Sequence, residues 1–139
     1  MASITSHSPQ ETFALGRDYA RTLRSGDVVA LSGDLGAGKT HFVKGMAAGL
    51  GIDTEATSPT FTLIHEYAGG RLLFYHIDLY RLETEDEVLA IGIDDYLAGD
   101  GVTAVEWADK FVELMPHGVR WVRFQPLEGD RREISMDEP

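Results

Sequence analysis

This chain predicts a three-layer α/β fold built on a mixed sheet, and three observations carry that expectation. Two apolar runs of strand length, Val28-Val29-Ala30-Leu31 and Val102-Thr103-Ala104-Val105, are each followed by a stretch with helical spacing. That alternation marks parallel strands joined by crossover helices. The runs 61–67 and 72–78 flank Ala68-Gly69-Gly70, and the run 119–124 is followed closely by 132–136, so two antiparallel hairpins should extend the parallel core. The 139 residues suit a single domain spanning 1–139, with no internal repeat, low-complexity tract or linker. Residues 1–7 and 137–139 read as polar, flexible termini.

Ser8-Pro9-Gln10-Glu11 is a helix start, with Ser8 as cap, Pro9 in the first turn and Glu11 at the capping-box position. Phe13, Gly16, Ala20 and Leu23 then mark one helical face, which ends near Ser25-Gly26. A second stripe, Phe42, Met46, Gly49 and Leu50, follows Lys39. Gly45 and Gly49 each cost about 1 kcal/mol against alanine inside a helix, so a closely approaching neighbour is expected to compensate. Thr84-Glu85-Asp86-Glu87 repeats the capping-box pattern before Val88, Leu89 and Ile91, and Asp94-Asp95-Tyr96-Leu97 continues as a short helix. Residues 108–115 read as a helix after the 102–105 strand.

The stretch between the first strand and second helix carries the chemistry. Gly33-Asp34-Leu35-Gly36-Ala37-Gly38-Lys39-Thr40 has the GxxxxGKT spacing of a phosphate-binding loop, in the strand-to-helix setting that such a loop requires. Gly33, Gly36 and Gly38 let successive N–H groups converge on phosphate oxygens in front of the helix N-terminus. Lys39 adds a point charge at the terminal phosphates, and the Thr40 hydroxyl stands where it can ligate Mg²⁺. Backbone groups of Asp34, Leu35, Gly36, Ala37, Gly38 and His41 complete the expected nucleotide contacts. The fold class thus sharpens to a P-loop NTPase fold binding a nucleoside triphosphate with Mg²⁺.

Magnesium needs further oxygen ligands, and a phosphate-loop protein draws them from the ends of apolar strands. Asp78 ends the run Leu72-Leu73-Phe74-Tyr75-His76-Ile77, and Glu106 ends Val102-Thr103-Ala104-Val105; either or both fit. Thr60, in Ser58-Pro59-Thr60-Phe61, lies in a loop before a hairpin, where it can be a turn residue or the sensor of a switch segment. Trp107 is large enough for a core role, but its position just past a strand end leaves a binding role open. His41, His65 and His76 lack metal-ligand spacing and read as satisfied or surface imidazoles. Arg81, Arg120, Arg123, Arg131 and Arg132 read as solvated, with no arginine finger identifiable.

The ordered set GDLGAGKT, TSPTFTLIHEY, FYHIDLYRL and VEWAD resembles the TsaE family, formerly YjeE, of small bacterial ATPases, over roughly residues 8–116. The resemblance implies a role in forming N6-threonylcarbamoyladenosine at position 37 of tRNAs that read codons beginning with adenine. It implies ATP hydrolysis in concert with a TsaD–TsaB heterodimer, which carries the tRNA and the group transfer. By position, Lys39 and Thr40 would serve phosphate and magnesium, Thr60 would be the switch threonine, Asp78 and Glu106 the essential acids, and Trp107 a functional aromatic. His41 and Ala108-Asp109 depart from residues frequent in the family.

Composition agrees with an indirect relation to RNA. Twelve Lys plus Arg against 23 Asp plus Glu give a net charge of −11, which repels a polyanion unless the few cations cluster. There is no cysteine, hence no disulfide framework; neither a secretory signal nor a membrane-length apolar run is visible, so a cytoplasmic location is expected. Two rival readings remain at the level of sequence, a small-molecule kinase and a GTP-dependent switch. The first lacks an evident arginine-bearing lid, and the second lacks the Asn/Thr-Lys-x-Asp element that reads guanine.

Overall fold

The computed structural model describes residues 2–33, 38–52 and 63–137. Its strands β1 (Ala2–Ser6), β2 (Val28–Ser32), β3 (Ile64–Tyr67), β4 (Phe74–Asp78), β5 (Val102–Glu106), β6 (Arg120–Pro126) and β7 (Arg132–Met136) form one sheet in the order β1-β7-β6-β2-β5-β4-β3. β2 runs parallel to both β5 and β6, and β4 runs parallel to β5. The β3–β4 and β6–β7 pairs are antiparallel, as the glycine turn and the closing pair predicted. β5 is therefore the direct neighbour of the strand that leads into the phosphate loop, and β4 lies one strand further out.

The opening residues do not form a loose terminus. Ala2–Ser6 pair with β7 from Ala2↔Met136 to Ser6↔Arg132, satisfying an edge that β7 would otherwise expose. The polar residues of this strand masked its nature in the sequence, because an edge strand needs no apolar run. Ser6 is nonetheless buried, and its hydroxyl is hydrogen-bonded to that of Thr12 at 2.8 Å and donates to the Ser8 carbonyl at 3.0 Å. This ties β1 to the start of α1 (Pro9–Ala20).

The pleat sorts the buried strands into two cores. Val29, Leu31, Phe74, Val102, Ala104, Val122 and Phe124 face α1 and α2 (Lys39–Gly49), where they meet Phe42, Val43, Met46 and Leu50. Val28, Ala30, Ile77 and Val105 face the opposite layer, against Val88 of α3 (Glu85–Ala90), Ile93 of α4 (Ile93–Leu97) and Phe111. The region 108–115 is not an α-helix but a 3₁₀ helix, Ala108–Leu114, broken at Phe111 (φ −137°, ψ 49°). Phe111 and Ala108 are buried there, and tertiary packing overrides the helical spacing.

The α1–α2 contact explains the costly glycines. A β-carbon on Gly45 would stand 2.0 Å from the Phe13 carbonyl oxygen, one on Gly49 2.3 Å from that of Arg17, and one on Gly16 2.1 Å from that of Phe42. The two backbones touch. That contact fixes where α2, and with it Lys39 and Thr40, sits against the sheet.

Candidate functional site

Gly38 starts α2 in the left-handed region (φ 99°), with no side-chain cap on the helix. The N-terminus of a helix, where the backbone dipole is positive, is a favourable place for an anion. Lys39, the first residue of the helix, is 96% buried, and its ammonium donates to the Gly33 carbonyl at 2.6 Å. The same ammonium lies 3.6 Å from the centroid of the Trp107 ring, a cation–π contact.

Both candidate acids reach this place, because β4 and β5 end in register, with Asp78 opposite Glu106. Glu106 is also opposite Leu31 of β2, and the Trp107 N–H continues the ladder to the Leu31 carbonyl at 3.1 Å. Of the two acids, Glu106 thus stands on the strand adjoining the phosphate-loop strand. Asp78 is half-buried, and that burial pushes its carboxyl above the usual range; the Tyr80 N–H at 2.9 Å opposes the shift and the Glu106 carboxylate adds to it. Glu106 is buried and its Oε2 is 2.5 Å from Nε2 of His76, which is wholly inaccessible.

Trp107 adopts φ 63°, ψ 26°, the only left-handed backbone among the described residues other than glycine. Such a conformation costs a bulky residue about 1–2 kcal/mol. It turns the chain sharply from β5 into the 3₁₀ helix while the indole covers Lys39 and packs on Tyr80, with ring centroids 5.0 Å apart.

These side chains line one cleft of about 300 Å³. Gly38, Lys39, Thr40, His41, Asp78, Glu106 and Trp107 all belong to its wall. So do six residues not predicted for it: Ser8, the cap of α1, with Pro9 and Thr12 from its first turn, Tyr80, Asp130 of the β6–β7 turn, and Arg132 at the start of β7. Sequence spacing cannot place these, because only the sheet order brings that turn to the start of α1. Asp34, Leu35, Gly36 and Ala37, and the proposed switch residue Thr60, lie outside the described residues.

The donor set suits a hard divalent cation. One hydroxyl and two carboxylates converge on a helix N-terminus, and a magnesium ion is held by one or two carboxylates together with substrate phosphates and water. Among the described residues there is no cluster of three or more His, Cys, Asp or Glu. The site can grip phosphate oxygens, neutralise their charge and present a carboxylate beside them.

A family profile described as "Threonylcarbamoyl adenosine biosynthesis protein TsaE" matches residues 6–134. The chain belongs to the TsaE family. It is 47% identical to the tRNA threonylcarbamoyladenosine biosynthesis protein TsaE of Bacillus subtilis (strain 168), over 93% of this chain and 80% of the relative. Identity to the protein of the same name in Treponema pallidum is 43%, covering 94% and 96% of the two chains. The Haemophilus influenzae TsaE is 38% identical, over 98% and 90%. Among solved structures, Bacillus subtilis YdiB superposes with a TM-score of 0.81 at 39% identity, covering 97% of this chain and 83% of that one. The mixed sheet described above is thus the P-loop NTPase fold of TsaE proteins. No helix among the described residues is long and apolar enough to cross a membrane.

Proposed function

We propose that this chain is a Mg²⁺-dependent ATPase required for threonylcarbamoylation of adenosine 37 in tRNAs reading codons that begin with adenine. In this reading it works with a TsaD–TsaB heterodimer in the cytoplasm, and touches tRNA only through that complex. The observation that carries the proposal is the convergence of Lys39, Thr40, Asp78 and Glu106 in one cleft of a chain with TsaE relatives. The net charge of −11 supports an indirect relation to tRNA.

The chemistry follows from the wall of the cleft. The first turn of α2 receives the phosphates, and Lys39 exchanges its bond to the Gly33 carbonyl for a terminal phosphate oxygen. Thr40, Asp78 and Glu106 would hold Mg²⁺ directly or through water, and the bound ion supplies charge neutralisation on the outer phosphates. Glu106 or Asp78 accepts a hydrogen bond from the attacking water, with Thr60 as the switch residue that senses the terminal phosphate. The isolated cleft is open to water, so turnover is slow until a partner covers it.

An ATPase assay with and without TsaB–TsaD tests this directly. We expect stimulation by the pair, and equal rates would refute partner dependence. Lys39→Ala should lose roughly 10–100-fold in ATP affinity, measured by calorimetry, because a charge-assisted bond to phosphate is removed. Retained affinity in a folded Lys39→Ala chain would count against the phosphate site.

A further inference from the structure

His76 is a buried group that the chemistry above does not use. It occupies the middle of β4 on the face shared with Phe74, paired in register with Ala104 and with no exposed surface. The surrounding face is apolar, with Phe74, Val102, Ala104 and Leu31 all in one core. A leucine would suit that packing without introducing a polar group that must be satisfied. Stability therefore gives no reason for an imidazole here, and its one polar contact does. Nε2 lies 2.5 Å from Oε2 of Glu106, two residue pairs further along the sheet.

The neighbours also fix the tautomer. Nδ1 is buried and has no hydrogen-bond partner among the described residues. A hydrogen on Nδ1 would be a buried donor without an acceptor, a rarer and costlier situation than an unused lone pair. The ring hydrogen therefore sits on Nε2 and is donated to Glu106. That bond engages Oε2 of a residue that also lines the cleft.

We propose that His76 is the positioning residue of Glu106, holding its carboxylate in one orientation from inside the sheet through an Nε2–H···Oε2 bond. The proposal rests on the ATPase reading, in which Glu106 faces metal or water, and assigns His76 no contact with nucleotide. A glutamate at a strand end otherwise has three rotatable bonds; a rigid donor buried in β4 removes that freedom before ligand arrives.

Three variants of the full chain separate positioning from packing. His76→Gln places an amide donor near the Nε2 position, His76→Asn is too short to reach Glu106, and His76→Leu fills the space without a donor. With TsaB–TsaD present, Asn and Leu should lower kcat roughly 10–100-fold while the affinity for a fluorescent ADP analogue stays unchanged, and Gln should recover most of kcat. Equal kcat in all variants, an equal loss in Gln and Leu, or a kcat loss that merely follows nucleotide affinity would overturn the assignment. Nitrogen-15 spectra of the histidine-labelled wild type, with the signal assigned through His76→Gln, give an answer independent of activity and of whether the Leu variant folds. An Nε2–H ring is expected, and an Nδ1–H ring overturns the proposal. If the wild type shows no ATP turnover, the ATPase reading fails and the spectra decide the His76–Glu106 bond on their own.

Discussion

The groups that hold Lys39 include the Gly33 carbonyl and the face of Trp107, which have nothing chemically in common. The indole can occupy that position only because residue 107 accepts a left-handed backbone. Two substitutions separate these effects. Trp107→Ala and Trp107→Gly remove the same ring, but glycine adopts φ 63° without a steric penalty. Denaturant unfolding should find the Gly variant more stable than the Ala variant by about 1–2 kcal/mol, and identical stabilities would deny the strain. The sequence pointed to Lys39, Thr40, Asp78 and Glu106 through motif and strand-end position and left the role of Trp107 open, and all five line one cleft. The sequence hid His76, although the period of two along β4 places residues 76 and 78 on one face. The reason is that the carboxylate partner of His76 comes from another strand, 30 residues away in the chain.

At the scale of elements, α1 and α2 meet backbone to backbone through Gly16, Gly45 and Gly49. Gly45→Ala improves helix propensity, yet the new carbon would lie 2.0 Å from a main-chain oxygen that cannot rotate away. A net loss of about 1–3 kcal/mol is expected from overpacking, visible as a lower melting temperature; a gain in stability would mean that the helices separate at no cost. The caps were equally legible. Thr84 and Glu87 form a reciprocal capping box, whereas Glu11 accepts from the His7 N–H at 2.5 Å while its own N–H donates to Ser8.

Glu87 also makes α3 sensitive to acid. The Glu83 N–H is the largest influence holding its carboxyl below the ordinary 4.5, joined by the Thr84 hydroxyl and N–H. The folded state therefore binds the proton less readily than the unfolded state, so this stabilisation is complete above pH 4.5 and disappears as pH falls through the lower folded value. The stability difference between wild type and Glu87→Gln should shrink between pH 6 and 3 in urea titrations; a constant difference would rule out the linkage. The helix at 108–114 was read but not its 3₁₀ type or its break at Phe111, and β1 was not read at all, for opposite reasons. One had helical spacing that packing overrode, and the other had no apolar pattern because it lies at a sheet edge.

For the whole molecule, sheet order decides what the cleft contains. β5 stands between β2 and β4, so Glu106 and Asp78 finish side by side next to Leu31. The rest of the lining includes Ser8, Pro9 and Thr12 together with Asp130 and Arg132. The class of fold and its two hairpins could be read from the chain, but strand order could not, and with it this part of the lining. Removing residues 1–6 should uncover β7 and release the Ser6–Thr12 bond. Both a lower melting temperature and weaker binding of a fluorescent ADP analogue are expected. A shortened chain with unchanged nucleotide affinity would show that β1 does not support the cleft.

The pairing of Ala2 with Met136 also has a consequence for synthesis. A ribosome delivers the phosphate loop and then both acids before β7, so β1 has no strand to join until residue 136 has emerged, and the wall formed by Asp130 and Arg132 arrives only shortly before it. Contacts between segments so distant in the chain form late in folding. The nascent chain thus carries its phosphate-binding motif without the completed cleft until residues 130–136 have been made and β1 can pair with β7.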